Sequence, residues 1–427
     1  MVEPIEPAEG ASVLLAFRAE NARSFRDPVE ISLLATAMAE PSCVRQVQWR
    51  EGGSPIAVLP AAALFGANAS GKSNALRLMD DMRSLVLTSF RQGDPSGGMP
   101  RQPFLLDDEA RQRPTRFEID VVVQGVRHEY GLTFDDHRVL TEWAYRYPKG
   151  RAALLFEREL DEVTFGGTAR QRSRAVLDLL RPNALYLSTA ASANHPTLLP
   201  LFEWFSRNLL LAEVETRDKR QAFTAQLLEG IEHKPKILAL LRAADLGITG
   251  ATTQEPDLED VHLERRSQVA LSHQGANGDV EFHPNDESLG TMIWFGLVGP
   301  VVDVLERGAV LLADELDASL HPALVHELVR IFQNPRTNPK RAQLIFNSHD
   351  VTLLGDATGE RPLGRDQVWF AEKLHDGSTR LYPLTDLDPR KQEAIGKRYL
   401  EGRYGGVPIV SRPEFEAAAE LIASAGR

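Results

Sequence analysis

The run Gly66-Ala-Asn-Ala-Ser-Gly-Lys-Ser73 constrains this chain more than any other stretch. Two glycines with four residues between them, then Lys and Ser, cradle phosphate only where a strand enters and a helix leaves. Both flanks fit. Ile56 to Phe65 is an apolar run that reads as one buried strand, and Leu76, Met79, Met82, Leu85 and Val86 recur at helical spacing over Asn74 to Leu87. Gly66 and Gly71 permit backbone angles and a close approach that a side chain would block, so successive N–H groups can point at phosphate oxygens. The helix N-terminus adds its positive end. Lys72 offers a mobile cation for the β- and γ-phosphates, Ser73 a hydroxyl for Mg2+, and Asn68 a side-chain contact near the γ-phosphate. Ser70 and Asn74 complete the expected cradle. A chance glycine turn would not arrive with strand and helix in this order.

Ala309-Val-Leu-Leu-Ala-Asp-Glu315 is an apolar strand that ends in two acids. Alone, such a pair is a solvated strand end. Beside a phosphate loop it acquires roles: Asp314 holds Mg2+, usually through water, and Glu315 polarises the attacking water as general base. More than half of the chain separates Lys72 from Asp314, which is long for a compact GTPase-like fold and leaves room for an inserted region.

At 427 residues the chain accommodates two or three structural units. Its 43% hydrophobic and 25% charged residues are those of a globular protein and exclude collagen-like, disordered and coiled-coil classes for most of the length. Lys and Arg number 48 against 60 Asp and Glu, a net charge of −12, opposite to a protein that coats nucleic acid non-specifically. A local basic surface stays open. Cys43 is the only cysteine, so no disulfide forms within one chain and no thiolate metal cluster can be built; a reducing, cytoplasmic setting is expected. The first ten residues are acidic with two prolines, the reverse of a secretory signal. Ile293 to Leu305 is interrupted by Gly296, Gly299, Pro300 and Asp303 and reads as too short to span a membrane.

No repeat of fixed period is present. Val13 to Leu34 predicts two short strands around Asn21 to Phe25, and Arg91 to Pro103 an exposed connection. Strands follow at 117–123, 128–134 and 141–147 as an antiparallel meander. Leu198 to Leu246 reads as helical, broken at Gly230 and Pro235, and polar strand-like segments lead from it to His283. A helix from Met292, the strand before Asp314, another helix and a strand at Gln343 to Asn347 close an α/β fold. The expected organisation is an N-terminal ATPase part at 1–197, a helical insert at 198–250 and a C-terminal ATPase part at 251–427.

Glu287-Ser-Leu-Gly-Thr291 lies shortly before those acids and opens a helix, an order that resembles the signature motif of ATP-binding-cassette ATPases. In that family two nucleotide domains close head to tail, and the signature of one subunit contacts the γ-phosphate held by the other. Ser288 and Gly290 are the positions carried over, and Ser288 also reads as a helix N-cap. Leu289 and Thr291 depart from the transporter form. Leu316-Asp-Ala-Ser-Leu-His-Pro322 stands where the family has a subunit-crossing loop, with His321 at the usual Asp position. Phe346-Asn-Ser-His-Asp350 resembles the switch-histidine motif, which would set His349 against the γ-phosphate.

With Asn21 to Phe25 and Tyr399 to Pro408, these segments resemble a prokaryotic family of ABC-type ATPases related to SMC, RecF and OLD heads, similar to those of abortive-infection and Rlo-type phage-defence systems. The resemblance implies an SMC-head-like nucleotide-binding fold, Mg2+-dependent ATP hydrolysis, and a homodimer or higher even oligomer with ATP at the interface. It also implies a separately encoded effector, a nuclease or toxin, under control of that switch. Arg23 becomes a phosphate contact. Asn183 to Asn194 takes the place of the glutamine loop, where Ser192 or Asn194 would replace the missing glutamine; Gln102 and Gln124 fit the order less well. The insert is too short for the long coiled coil of chromosome-organising ATPases. Asp386, Asp388 and Glu393 lie among Arg390, Lys391, Lys397, Arg398 and Arg403, which suggests a helix with a basic face, for docking or for solvent, rather than a metal-dependent nuclease. The alternative function is a RecF-like repair ATPase that clamps DNA, which the net charge disfavours. Phosphorylation of a substrate by ATP is a third, weaker reading.

Overall fold

A computed structural model gives the fold and describes residues 12–167, 170–244, 246–254, 268–355, 361–408 and 410–424. The acidic first ten residues lie outside that set. Val13–Glu20 (β1) and Val29–Ser32 (β2) form the expected antiparallel pair, and the chain turns between them through Asn21 and Arg23, both with positive φ. The apolar run from Ile56 to Phe65 is two strands rather than one. Arg45–Val47 (β3) pairs with Ile56–Val58 (β4), and Ala61–Gly66 (β5) enters a different sheet. Pro60, with no amide to give a ladder, stands at the break.

Lys72–Thr88 (α1) follows the glycine loop, and Asp107 caps Asp108–Gln112 (α2) by accepting from the Glu109 and Ala110 amides. The meander of Thr115–Val123 (β6), Val126–Phe134 (β7) and Val139–Arg146 (β8) continues through Ala153–Glu159 (β9) and Glu162–Phe165 (β10), two strands the sequence reading does not contain. Arg170–Ala175 (α3), Tyr186–Ser192 (α4) and Leu199–Arg207 (α5) lead to Leu209–Ala212 (β11). Here the stretch 198–250, expected to be helical, departs from expectation: β11 is a strand, and only Arg217–Glu229 (α6) and Lys234–Ala243 (α7) continue as helices.

Ile248–Gln254 (β12), Gln268–Gly275 (β13) and Gly278–Phe282 (β14) make a small antiparallel sheet. Leu289–Arg307 (α8), Val310–Ala313 (β15), Pro322–Gln333 (α9), Gln343–Asn347 (β16), Val368–Lys373 (β17) and Thr379–Pro383 (β18) complete the α/β unit. Ile395–Leu400 (α10) and Arg412–Ser424 (α11) end it. The basic-faced helix expected across residues 386–403 is not formed: a 3-10 turn over Leu384–Leu387 ends at Asp388, which takes a positive φ, and only the six residues of α10 are α-helical, anchored by buried Ile395 and Tyr399. α8 exceeds the interrupted stretch read from the sequence. At 19 residues, with a mean hydropathy of 1.4 over its most apolar 18, it is long and apolar enough to cross a membrane, but 67% of that stretch is buried inside the fold.

Two large sheets organise the chain. One is antiparallel, in the order β10-β9-β8-β7-β6-β1-β2; the other is mixed, β11-β15-β16-β5-β17-β18, with only β18 antiparallel to its neighbour. The mixed sheet is buried on both faces, and its period-2 alternation feeds two cores. Ala62, Leu64, Leu312 and Ile345 join the antiparallel sheet, α1, α4 and α5. Ala61, Ala63, Leu311 and Phe346 join α6, α7, α8 and α9. β5, β15 and β16 run parallel, so their C-terminal ends converge on one edge, where a doubly covered sheet presents its ligand site.

Candidate nucleotide-binding site

At that edge a cleft of about 930 Å³ is lined by Asn68 to Asn74, Glu315, Asn347 and His349, with Arg23 and Ser24 from the first turn. Neighbouring atoms forbid a side chain at both loop glycines. A Cβ at Gly66 would lie 2.4 Å from the Ala371 carbonyl oxygen, and one at Gly71, with φ +100°, 2.1 Å from Thr379 Oγ1. Asn68 and Ala69 are exposed at the tip, whereas Ser70 is buried and its hydroxyl has no hydrogen-bond partner among the described residues.

Lys72 is 6% exposed, and its ammonium donates to the Gly66 and Ala67 carbonyls at 2.9 Å each. Burial lowers its pKa, against the carboxylates of Glu315, Asp317 and Asp314, which raise it. One side chain outside the expected set connects the rest. Asn347, at the end of β16, donates to Ser73 Oγ at 3.3 Å and to Asp314 Oδ1, while its own oxygen accepts the Glu315 amide. Ser73, Asp314 and Glu315 come from segments far apart in sequence, and a single buried amide fixes their spacing. Hydroxyl and carboxylate oxygens so placed are hard donors suited to Mg2+. The His349 amide donates to Asp317 Oδ2 at 3.0 Å; burial first, then the Lys72 charge, lowers its imidazole pKa, which keeps the ring neutral near pH 7.

Other expected residues are engaged elsewhere. The Arg23 guanidinium makes a bidentate pair with Asp81 at 2.6 and 2.7 Å, so it lines the cleft with its charge already matched. Asn74 donates to Ser24 Oγ at 2.9 Å and ties the loop helix to that turn. Ser288 does cap α8, accepting the Thr291 amide at 3.1 Å, and a Cβ on Gly290 would lie 2.9 Å from the Ser319 carbonyl oxygen. Ser288 and Gly290 do not line the phosphate cleft of their own chain; with Ser319 and His321 they line a second cavity, between α7, α8 and α9.

Neither Ser192 nor Asn194 lines the cleft. Ser192 Oγ donates to the Ser188 carbonyl inside α4, and Asn194 turns the chain just after that helix. Gln124 turns the β6–β7 hairpin, and Gln102, which fits the family order less well, does line the cleft. The neighbour of the acids is Glu213, at the end of β11. Glu213, Glu215 and Asp314 place carboxylate oxygens within 4.8 Å of one another, and Arg77 bridges them, at 2.5 Å from Glu213, 3.2 Å from Glu215 and 3.9 Å from Asp314. Arg77 was findable: it follows Ser73 by four residues and so shares its helix face. Glu213 was hidden by the helical reading of its surroundings.

No curated protein matches the sequence. Among solved structures, an Smc head bound to the C-winged helix domain of ScpA is 14% identical, with 86% of this chain and 96% of that one covered and a TM-score of 0.42. An Smc head with an extended coiled coil, bound to the C-terminal domain of ScpA from Pyrococcus furiosus, is 12% identical over 88% and 98%, TM-score 0.38. An Smc head with a coiled coil and joint from Pyrococcus yayanosii is 11% identical over 92% and 100%, TM-score 0.41. These are distant likenesses, and no property of those heads follows from them for this chain. The profile of the family described as "AAA domain, putative AbiEii toxin, Type IV TA system" matches residues 61–355, from the strand entering the glycine loop to the segment beyond His349, and the chain belongs to that family.

Proposed function

We propose that the chain binds ATP with Mg2+ and hydrolyses it, and that this cycle works a switch. The observation that carries the reading is the Asn347 amide holding Ser73, Asp314 and the Glu315 backbone together at the mouth of the glycine loop. On this reading Lys72 exchanges its two loop carbonyls for β- and γ-phosphate oxygens. Ser73 and Asp314 would hold Mg2+, which would supply charge neutralisation at those phosphates. Glu315 orients water and takes its proton, and neutral His349 bonds the terminal phosphate. Rate enhancement comes from positioning and charge stabilisation, with no covalent protein intermediate.

The location of Ser288 and Gly290 supports pairing. They line a different cavity from the phosphate loop, so their contact with a γ-phosphate requires a second copy closing head to tail. Control of a separate nuclease or toxin in phage defence is the biological role we infer. The family description, which names a putative AbiEii toxin and a Type IV TA system, supports a toxin-linked setting for that switch.

Phosphate release from Mg-ATP tests the catalytic core. Lys72→Ala should lower turnover at least ~100-fold, and Glu315→Gln should bind ATP, turn over as slowly, and accumulate a dimer resolved by light scattering. Unchanged turnover in either variant would sink the assignment.

A further inference from the structure

We propose that Leu105 and Leu106 form the platform on which the purine base of the bound nucleotide packs, a reading that rests on nucleotide occupancy of the same cleft. These two leucines are 60% and 68% exposed, whereas Phe104 just before them is 2% exposed. With Pro103 and Phe104, these adjacent exposed leucines give an apolar stretch to the rim of a cleft whose lining is otherwise mostly polar.

Their exposure is built in. The Gln102 carbonyl accepts the Arg23 amide at 2.7 Å, the Phe104 amide donates to Asn21 Oδ1 at 3.2 Å, and the Leu105 carbonyl accepts Arg111 Nε at 2.7 Å. Backbone groups on both sides are tied down, so the leucine side chains are held outward and cannot turn into the core.

Their position suits a base. Leu106 packs on Gly377, where a Cβ would lie 2.3 Å from Leu106 Cδ1. Two residues on, the Thr379 hydroxyl donates to the Ser70 carbonyl of the glycine loop at 2.9 Å. Gly377 and Thr379 are two residues apart, at most ~7 Å, so the leucine pair and the phosphate cradle touch the same short stretch of chain. Apolar side chains gain most from the larger ring, hence purine over pyrimidine, and the exposed Gln102 amide on the same rim offers a donor and an acceptor to the ring edge.

Calorimetry with Mg-ATP and with inorganic tripolyphosphate separates base from phosphate binding. The double variant Leu105→Asn/Leu106→Asn, at two exposed positions, should weaken ATP about tenfold and leave tripolyphosphate unchanged, while Leu106→Met stays near wild type. Unchanged ATP affinity, or equal losses for both ligands, overturns the proposal. A variant that alters self-association but not ATP affinity assigns the leucines to a second copy and overturns it too. Wild-type protein that binds neither ligand overturns the nucleotide reading itself, and a wild type that binds both equally overturns only the platform.

Discussion

Asn347 is 1% exposed and satisfies a serine hydroxyl, a carboxylate and a backbone amide with one side chain. Asn347→Ala leaves Asp314 Oδ1 and the Glu315 amide without that partner, at ~1–3 kcal/mol for each orphaned group. Steady-state phosphate release at saturating ATP should therefore fall ~10–100-fold. Asn347→Asp should be worse at neutral pH, because a like charge then faces Asp314, and that charge raises the carboxyl pKa at both sites. As pH falls the pair takes up a proton and regains a donor, so the gap between the two variants should narrow; a gap constant with pH would remove the electrostatic account. The loop glycines, Lys72, Ser73, Asp314 and Glu315 were legible because each announces its chemistry within a short run. Asn347 sat inside a motif noted only for His349. Its work depends on three segments that meet in space, and no local pattern records that.

Helices α6 and α8 show how an element's role can hide in what looks like interruption. In sequence, Gly296 and Gly299 break an apolar stretch. In the fold they let α6 lie directly on α8: Cβ atoms there would meet Gln221 Cγ at 3.2 Å and the Thr224 Cα at 2.8 Å. The Gly299 amide also donates to Thr224 Oγ1 at 3.2 Å. α6 follows the Glu213–Glu215 turn beside Asp314, and α8 is capped by Ser288, so this contact joins the acid cluster to the second cavity. Gly299→Ala forces the helices apart and should cost ~1–3 kcal/mol in chemical denaturation. Adding Thr224→Ala should not restore it, because the clash includes backbone; full rescue would mean that only the hydroxyl was in the way. The meander and the α/β unit followed from β-branched alternation and from apolar runs ending in acids. β11 did not, since Leu209-Leu-Leu-Ala212 between helices carries no alternation, and only its parallel pairing with β15 makes it a strand.

At the scale of the molecule, the antiparallel and mixed sheets must hold a fixed relation for the first turn to meet the glycine loop, and a buried amide on β16 is one of the ties. Gln343 is 2% exposed; its oxygen accepts the Leu14 amide at 2.7 Å, and its nitrogen donates to the Leu14 and Leu59 carbonyls at 2.9 and 3.3 Å. β1 and β16 belong to different sheets, so this side chain stitches one to the other, at the opposite end of the strand that carries Asn347. Gln343→Leu keeps the volume but orphans an amide and two carbonyls. At ~1–3 kcal/mol for a buried unsatisfied group, partly relieved by relaxation, the loss should be about 3 kcal/mol in denaturant unfolding. Leu14 should lose amide-exchange protection at the same time. Because the tie lies on the far side of the strand from the acids, turnover of the fraction that remains folded should stay within about twofold of wild type. If turnover collapsed while stability held, Gln343 would be aligning the site through β16 rather than joining the two sheets.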